Sequence, residues 1–329
     1  MGRLLEDKLA VEKPILVIGI GGAGSRIAND ISTAIDFECV LISNDRKDLI
    51  GNRRSILINS KSWVNPSSYK LRFYAQDSLT KIRSAIREFK TVIVIANLAG
   101  KGGSAIAPMV CRLAKEAADR KTVVSFVIMP FKFEKDRIFQ AAISLRRVRE
   151  SSDATIVIDN DAFVQNNPEL SAAECYQFTN RALSETIALG CKGSYTCNDV
   201  SLLCTSNNIG RTELSAKDSV AMLYQNGDAG LVKSAVLYVM GGKNVPLGLL
   251  NSLSNTLQKI FKQDLNVGIT IVLSNSDTTN IHLLASFDET TRFDDYDPLS
   301  QIIPKKNVLD WHEMDSSPDI EMAISNLEH

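Results

Sequence analysis

The residues of this chain best suited to chemistry are two glycine-rich turns, each placed directly after an apolar run. Gly19-Ile20-Gly21-Gly22-Ala23-Gly24-Ser25 follows Ile15-Leu16-Val17-Ile18, and Asn97-Leu98-Ala99-Gly100-Lys101-Gly102-Gly103-Ser104 follows Thr91-Val92-Ile93-Val94-Ile95-Ala96. A strand that passes through glycines straight into a helix exposes unpaired backbone N–H groups at a positive helix end, and such an end binds anions. Two of them predict one polyphosphate gripped at two places. Taken alone, Gly19, Gly21 and Gly24 satisfy G-x-G-x-x-G, and Asp45 follows the next strand as in an NAD-binding fold. The second turn argues against NAD, because a dinucleotide fold needs only one phosphate turn. Nor is Gly100-Lys101 a P-loop, since Gly102 stands where Ser or Thr would hold magnesium.

The elements that must position these turns follow from periodicity. Apolar runs predict strands at 15–19, 38–43, 56–59, 91–96, 122–129 and 154–158, and 3.6-residue spacing predicts helices near 24–35, 76–89, 104–119, 136–150 and 171–189. Such alternation gives an α/β, Rossmann-like parallel sheet covered by helices on both faces, with ligands at the carboxyl ends of the strands. After Gly190 strands at 200–204, 234–240, 267–273 and 281–287 share only the helices over 215–226 and 247–262, which predicts a smaller mixed-sheet α+β layer and a junction near 190–198. From Asp288 onward the chain is acidic and proline-interrupted, a composition that predicts a mobile tail. Its final stretch, Asp319 to Leu327, has helical apolar spacing suited to a partner-binding peptide.

With 329 residues, 44% apolar and 23% charged, the chain has material for a large core. A formal charge of −1 leaves no bulk basic field to recruit nucleic acid. No apolar run reaches a membrane span and Met1–Asp7 lacks a secretory core, so the chain is expected in the cytoplasm. Six cysteines without a C-x-x-C pair predict free buried thiols and no metal site. His282, in an apolar strand, reads as a satisfied core residue, and Arg146-Arg147-Val148-Arg149 as a solvated helix face.

In order along the chain, these motifs resemble tubulin and its prokaryotic relatives FtsZ and CetZ over roughly residues 10–287. The first turn resembles the family's first nucleotide loop, Ile42 to Leu49 its second, and Asn65-Pro66 its third. Ala99 to Pro108 aligns without gaps to the signature GGGTG[ST]G followed by Ala-Pro. Met129-Pro130-Phe131-Lys132-Phe133-Glu134 is similar to the loop whose Glu holds ribose, and the helix with Tyr176 and Asn180 resembles the central helix whose aromatic ring lies on guanine. The resemblance implies GTP or GDP as the bound group, with Mg2+ its candidate companion. It implies a nucleotide site built from Gly21, Gly22, Ala23, Gly24, Arg26, Asp45, Ala99, Gly100, Lys101, Gly102, Gly103, Ser104, Glu134, Arg137, Asn160, Tyr176 and Asn180.

It also implies a nucleotide-binding domain (1–170), a central helix and catalytic-type loop (171–197), a C-terminal domain (198–287) and the tail (288–329). Head-to-tail filaments or co-assembly with an FtsZ-like protein would follow, with a role in cell division or shape and recruitment to the division site. The tail would engage a membrane tether or division partner.

Departures from the pattern are expected to weaken the chemistry. Ala99, Ala105 and Lys101 replace glycines, Gly102 replaces a Thr, and Arg181, which can only donate, stands where an Asp accepts from guanine. In the catalytic loop, N-x-D-x-x-D becomes Ser194-Tyr195-Thr196-Cys197-Asn198-Asp199, leaving Asp199 as the one weak catalytic candidate. The expectation is a nucleotide-binding filament protein with weak or absent GTP hydrolysis. The alternatives are an NAD-dependent Rossmann-like enzyme and a nucleotide-free FtsZ-like regulator.

Overall fold

The computed structural model describes residues 8–34, 37–51, 53–60, 66–117, 119–191, 194–196, 200–226, 231–241, 245–261, 266–273, 278–287 and 293. In chain order the strands are β1 (Lys8–Ala10), β2 (Ile15–Ile20), β3 (Glu38–Ser43), β4 (Arg54–Leu57), β5 (Thr91–Asn97), β6 (Thr122–Met129), β7 (Ala154–Asp159), β8 (Ser194–Thr196), β9 (Val200–Thr205), β10 (Val232–Gly241), β11 (Asn266–Leu273) and β12 (Asn280–Phe287). The helices are α1 (Gly21–Ala34), α2 (Ser68–Gln76), α3 (Leu79–Ile86), α4 (Lys101–Lys115), α5 (Lys135–Glu150), α6 (Asn160–Asn166), α7 (Ala172–Gly190), α8 (Thr212–Asn226) and α9 (Leu247–Ile260).

Ten strands form one sheet in the order β11-β10-β12-β9-β7-β6-β5-β2-β3-β4. From β4 to β9 every pairing is parallel. That is why β2, β5 and β7 read as unbroken apolar runs: helices cover both faces, so every position along them is buried or nearly so. The mixed half is not a separate sheet. β9 pairs parallel to β7 and antiparallel to β12, so the expected second layer continues the first edge to edge. The predicted junction near 190–198 falls at β8, which pairs with β1 in a small two-stranded ribbon absent from the sequence expectation. The helix expected over 76–89 is the shorter α3, and neither α2 before it nor α6 was anticipated.

Helix α4 is buried around nearly its whole circumference, as a helix wedged between neighbours must be. Pro108 inside it offers no N–H to the Ser104 carbonyl one turn back. The Ser144 hydroxyl of α5 donates to that carbonyl instead, at 3.0 Å. Phe293 lies inside the span assigned to the tail, yet it is 2% exposed and packs in the core, so that boundary is too early by at least this residue. Among the described residues no helix is long and apolar enough to cross a membrane.

Candidate functional site: a cleft between two glycine turns

At the carboxyl ends of β2, β3 and β5 lies an open cleft of about 1420 Å³. Its floor is the two glycine turns, and its walls come from Asn44–Asp48, Pro66–Tyr69 and the start of α5. The turns converge. A Cβ built on Gly21 would sit 3.5 Å from the Gly103 nitrogen, and one built on Gly102 would sit 3.7 Å from the Gly21 Cα. Gly21 has φ of +66°, which an L side chain rarely adopts and which swings the chain from β2 into α1. Gly100 is the extended cap of α4 with no side-chain cap bond, leaving the first amides of the helix directed out of its end.

Of the residues expected from the sequence, Gly21, Gly22, Ala23, Asp45, Ala99, Gly100, Lys101, Gly102, Gly103, Ser104 and Arg137 line the cleft. Gly24 and Gly103 owe their identity to packing. A Cβ on Gly24 would lie 2.3 Å from the Ile95 carbonyl oxygen, and one on Gly103 would lie 2.0 Å from that of Asn97. Asp45 lies two residues past the end of β3, and its carboxylate accepts from the Lys47 amide at 2.9 Å, capping the short 3-10 turn Arg46–Asp48. Asp48 accepts from the Ser43 hydroxyl at 2.6 Å and would be met by any Cβ on Gly22.

Gly24, Arg26, Glu134, Asn160, Tyr176 and Asn180 do not line the cleft, and Arg26 is exposed on α1. Glu134 accepts from Arg137 at 2.6 Å and from the Phe131 amide at 3.1 Å. Tyr176 meets Phe131 edge-on at 5.6 Å, and Phe131 stacks on Phe133 at 4.9 Å. Burial, followed by the Glu134 carboxylate, raises the Tyr176 phenol above its ordinary value. The side-chain oxygens of Asn160 and Asn180 are buried without a hydrogen-bond partner, a cost that an incoming N–H donor would remove. Among the described residues no group of three or more His, Cys, Asp or Glu could hold a metal ion.

Arg181 is paired within its own helix. Its Nε donates to Glu185 at 3.0 Å, while Glu185 also meets His282 Nε2 at 2.7 Å and receives the Asn280 amide. Thr205 closes the network on His282 Nδ1 at 3.0 Å. Burial pushes the Glu185 carboxyl up, but His282 and Arg181 outweigh it and hold it below the ordinary range. His282 is thus the satisfied core residue its apolar strand predicted. Asp199 lies outside the described residues, as does Asn65. Sequence reasoning missed Ser67, Ser68, Tyr69, Asp136 and Gln140 of the lining. The signal for Ser67 was available, since its hydroxyl caps α2 by accepting from the Lys70 amide.

Residues 14–168 match the model of the Tubulin/FtsZ family, GTPase domain. This stretch, just under half of the chain, is similar to the GTPase domain of the tubulin/FtsZ superfamily. Cell division protein FtsZ 2 of Halobacterium salinarum is 28% identical over 186 residues, 53% of this chain and 46% of that protein. The chain therefore aligns over about half the length of that relative. FtsZ 2 of Methanocaldococcus jannaschii is 24% identical over 294 residues, 80% and 77% of the two chains. Among solved structures, an empty FtsZ dimer from M. jannaschii superposes with a TM-score of 0.66 at 20% identity, covering 85% of this chain and 89% of that one. CetZ2 of Haloferax volcanii, solved as a GTPγS-bound protofilament, gives 0.64 at 18% identity, covering 88% and 97%. These likenesses establish the fold of the superfamily: a mostly parallel sheet flanked by helices.

Proposed function

We propose that this tubulin/FtsZ-like chain binds a guanine nucleotide in the cleft and self-associates head to tail, with slow GTP hydrolysis. The carrying observation is the convergence of the Gly21 and Gly102–Gly103 backbones, which gives one polyphosphate two helix N-termini at once. Lys101, exposed at the first position of α4, adds a point charge at the same end. Tyr176 supplies a ring for the base, and the buried carboxamides of Asn160 and Asn180 supply acceptors. Arg181 is engaged by Glu185, so the base is held without an acid at that position.

Assembly places the cleft at a subunit junction, a heterologous contact that does not close and therefore propagates as a filament. Asp199 is the one acid of the aligned catalytic loop, and loss of charged groups that position water costs orders of magnitude in rate. Titration with mant-GDP, and pelleting with GTP, GDP and no nucleotide alongside phosphate release, test the reading. Saturable NAD binding without guanine-nucleotide binding would move the assignment to a dinucleotide enzyme.

A further inference from the structure

Charge is divided very unevenly along this chain. Residues 294–329 hold 9 Asp/Glu against 2 Lys/Arg, a net of −7, so residues 1–293 carry +6. Within the latter, residues 46–90 alone hold 11 Lys/Arg against 3 Asp/Glu, a net of +8. That segment builds one end of the molecule: β4, the terminal strand of the sheet, and the helices α2 and α3. Among the described residues nothing pairs with the outer side of β4.

Beside β4, an open shelf of about 320 Å³ is lined by Arg54, Ser55, Ile56, Thr80, Lys81 and Ser84. It holds two cations, three hydroxyls and no acid. Arg54 and Lys81 are exposed and have no ion pair among the described residues. α3 is amphipathic for a clear reason: Ile82, Ala85 and Ile86 are buried, which leaves Lys81, Arg83 and Arg87 on the solvent face. The shelf shares no residue with the nucleotide cleft.

We propose that this shelf is the docking site of the chain's own acidic tail, residues 294–329. An unpaired edge strand offers backbone donors and acceptors to an extended segment, and the flanking cations select an acidic one. The reach is sufficient. Seven strand spacings separate β12 from β4, roughly 34 Å at about 4.8 Å each. The 36 residues after Phe293 can span on the order of 100 Å when extended. Docking there would compete with any partner that engages the tail, so tail occupancy would report on partner binding.

Carbodiimide cross-linking of the full-length chain tests the site, because the reagent joins a lysine amine to a carboxylate in contact with it. Mass spectrometry should find Lys81 linked to tail carboxylates in low salt. The yield should fall at least about fivefold in ~0.5 M NaCl, where exposed charges are screened within a few ångströms. Arg54→Glu with Arg83→Glu should lower it similarly while melting as the parent does. Asp294→Asn with Asp295→Asn and Asp297→Asn alters only the tail and should lower it too. Tail links spread equally over Lys217 and Lys259, or a Lys81 link unaffected by both variants and by salt, would overturn the proposal. So would protection of Lys81 by phosphatidylserine vesicles or duplex DNA that is unchanged in the tail variant, since the shelf would then serve a membrane or a nucleic acid.

Discussion

Gly102 and Gly103 are neighbours in one turn, yet alanine at each should fail in a different assay. A methyl group on Gly103 would sit 2.0 Å from the Asn97 carbonyl oxygen and 2.9 Å from its carbon, all of it backbone of β5. Non-bonded heavy atoms prefer roughly 3.5 Å or more, so α4 must move away from β5 or the strand must bend. Overpacking of this kind costs about 1–3 kcal/mol, and the helical preference of alanine over glycine returns only ~0.5–1 kcal/mol. Gly103→Ala should therefore lower the melting temperature by a few degrees without any ligand present.

A methyl group on Gly102 meets only the Asn44 side-chain oxygen at 3.4 Å and the Gly21 Cα at 3.7 Å, which are ordinary contacts. The melting temperature of Gly102→Ala should equal or slightly exceed that of the parent. That methyl group, however, lies between the two turns where a phosphate must approach, so mant-GDP affinity should drop by about tenfold or more, equivalent to about 1.4 kcal/mol. Circular dichroism melts and fluorescence titration read the two effects separately. An unchanged melt for Gly103→Ala would refute the packing argument. Undiminished nucleotide binding by Gly102→Ala would refute the placement of the phosphate.

Four further outcomes are expected. Because Glu185 is held below its ordinary value of 4.5, its stabilising effect is complete above that value and is lost as pH falls through the lower native one. Glu185→Gln should cost about 1–3 kcal/mol at pH 7, and that difference should shrink in urea melts below pH 4.5; a constant difference down to pH 3 would contradict the network. Asp199→Ala should leave a low GTP turnover nearly unchanged, and rapid concentration-dependent turnover abolished by it would show the catalytic loop to be intact. Burial raises the thiols of Cys39 and Cys111 to about 11 and those of Cys175 and Cys191 to about 12, so none of the four should be labelled by DTNB at neutral pH before unfolding. Truncation after Phe293 should lower the melting temperature only slightly, by the loss of the docked tail, whereas removal of Phe293 as well should lower it further, since that ring is buried in the core.

Local signals along the chain determined the strands of the parallel half, because a strand buried on both faces must be apolar throughout and a run such as Ile15–Ile20 admits little else. They also determined that glycines follow β2 and β5 and open helices, which is enough to specify anion sites. Tertiary structure decided what each glycine is for. Gly24 and Gly103 resemble phosphate glycines in sequence but are required by the Ile95 and Asn97 carbonyls, atoms about 70 and 6 residues away along the chain whose approach only packing sets. The partner of Arg181 was equally illegible, because Glu185 is one helical turn away but is fixed there by His282 and Asn280 from β12, about a hundred residues later. Even the joining of the two halves into one sheet rests on the β7–β9 pairing, which no periodicity encodes, since the same alternation would serve equally in a separate layer.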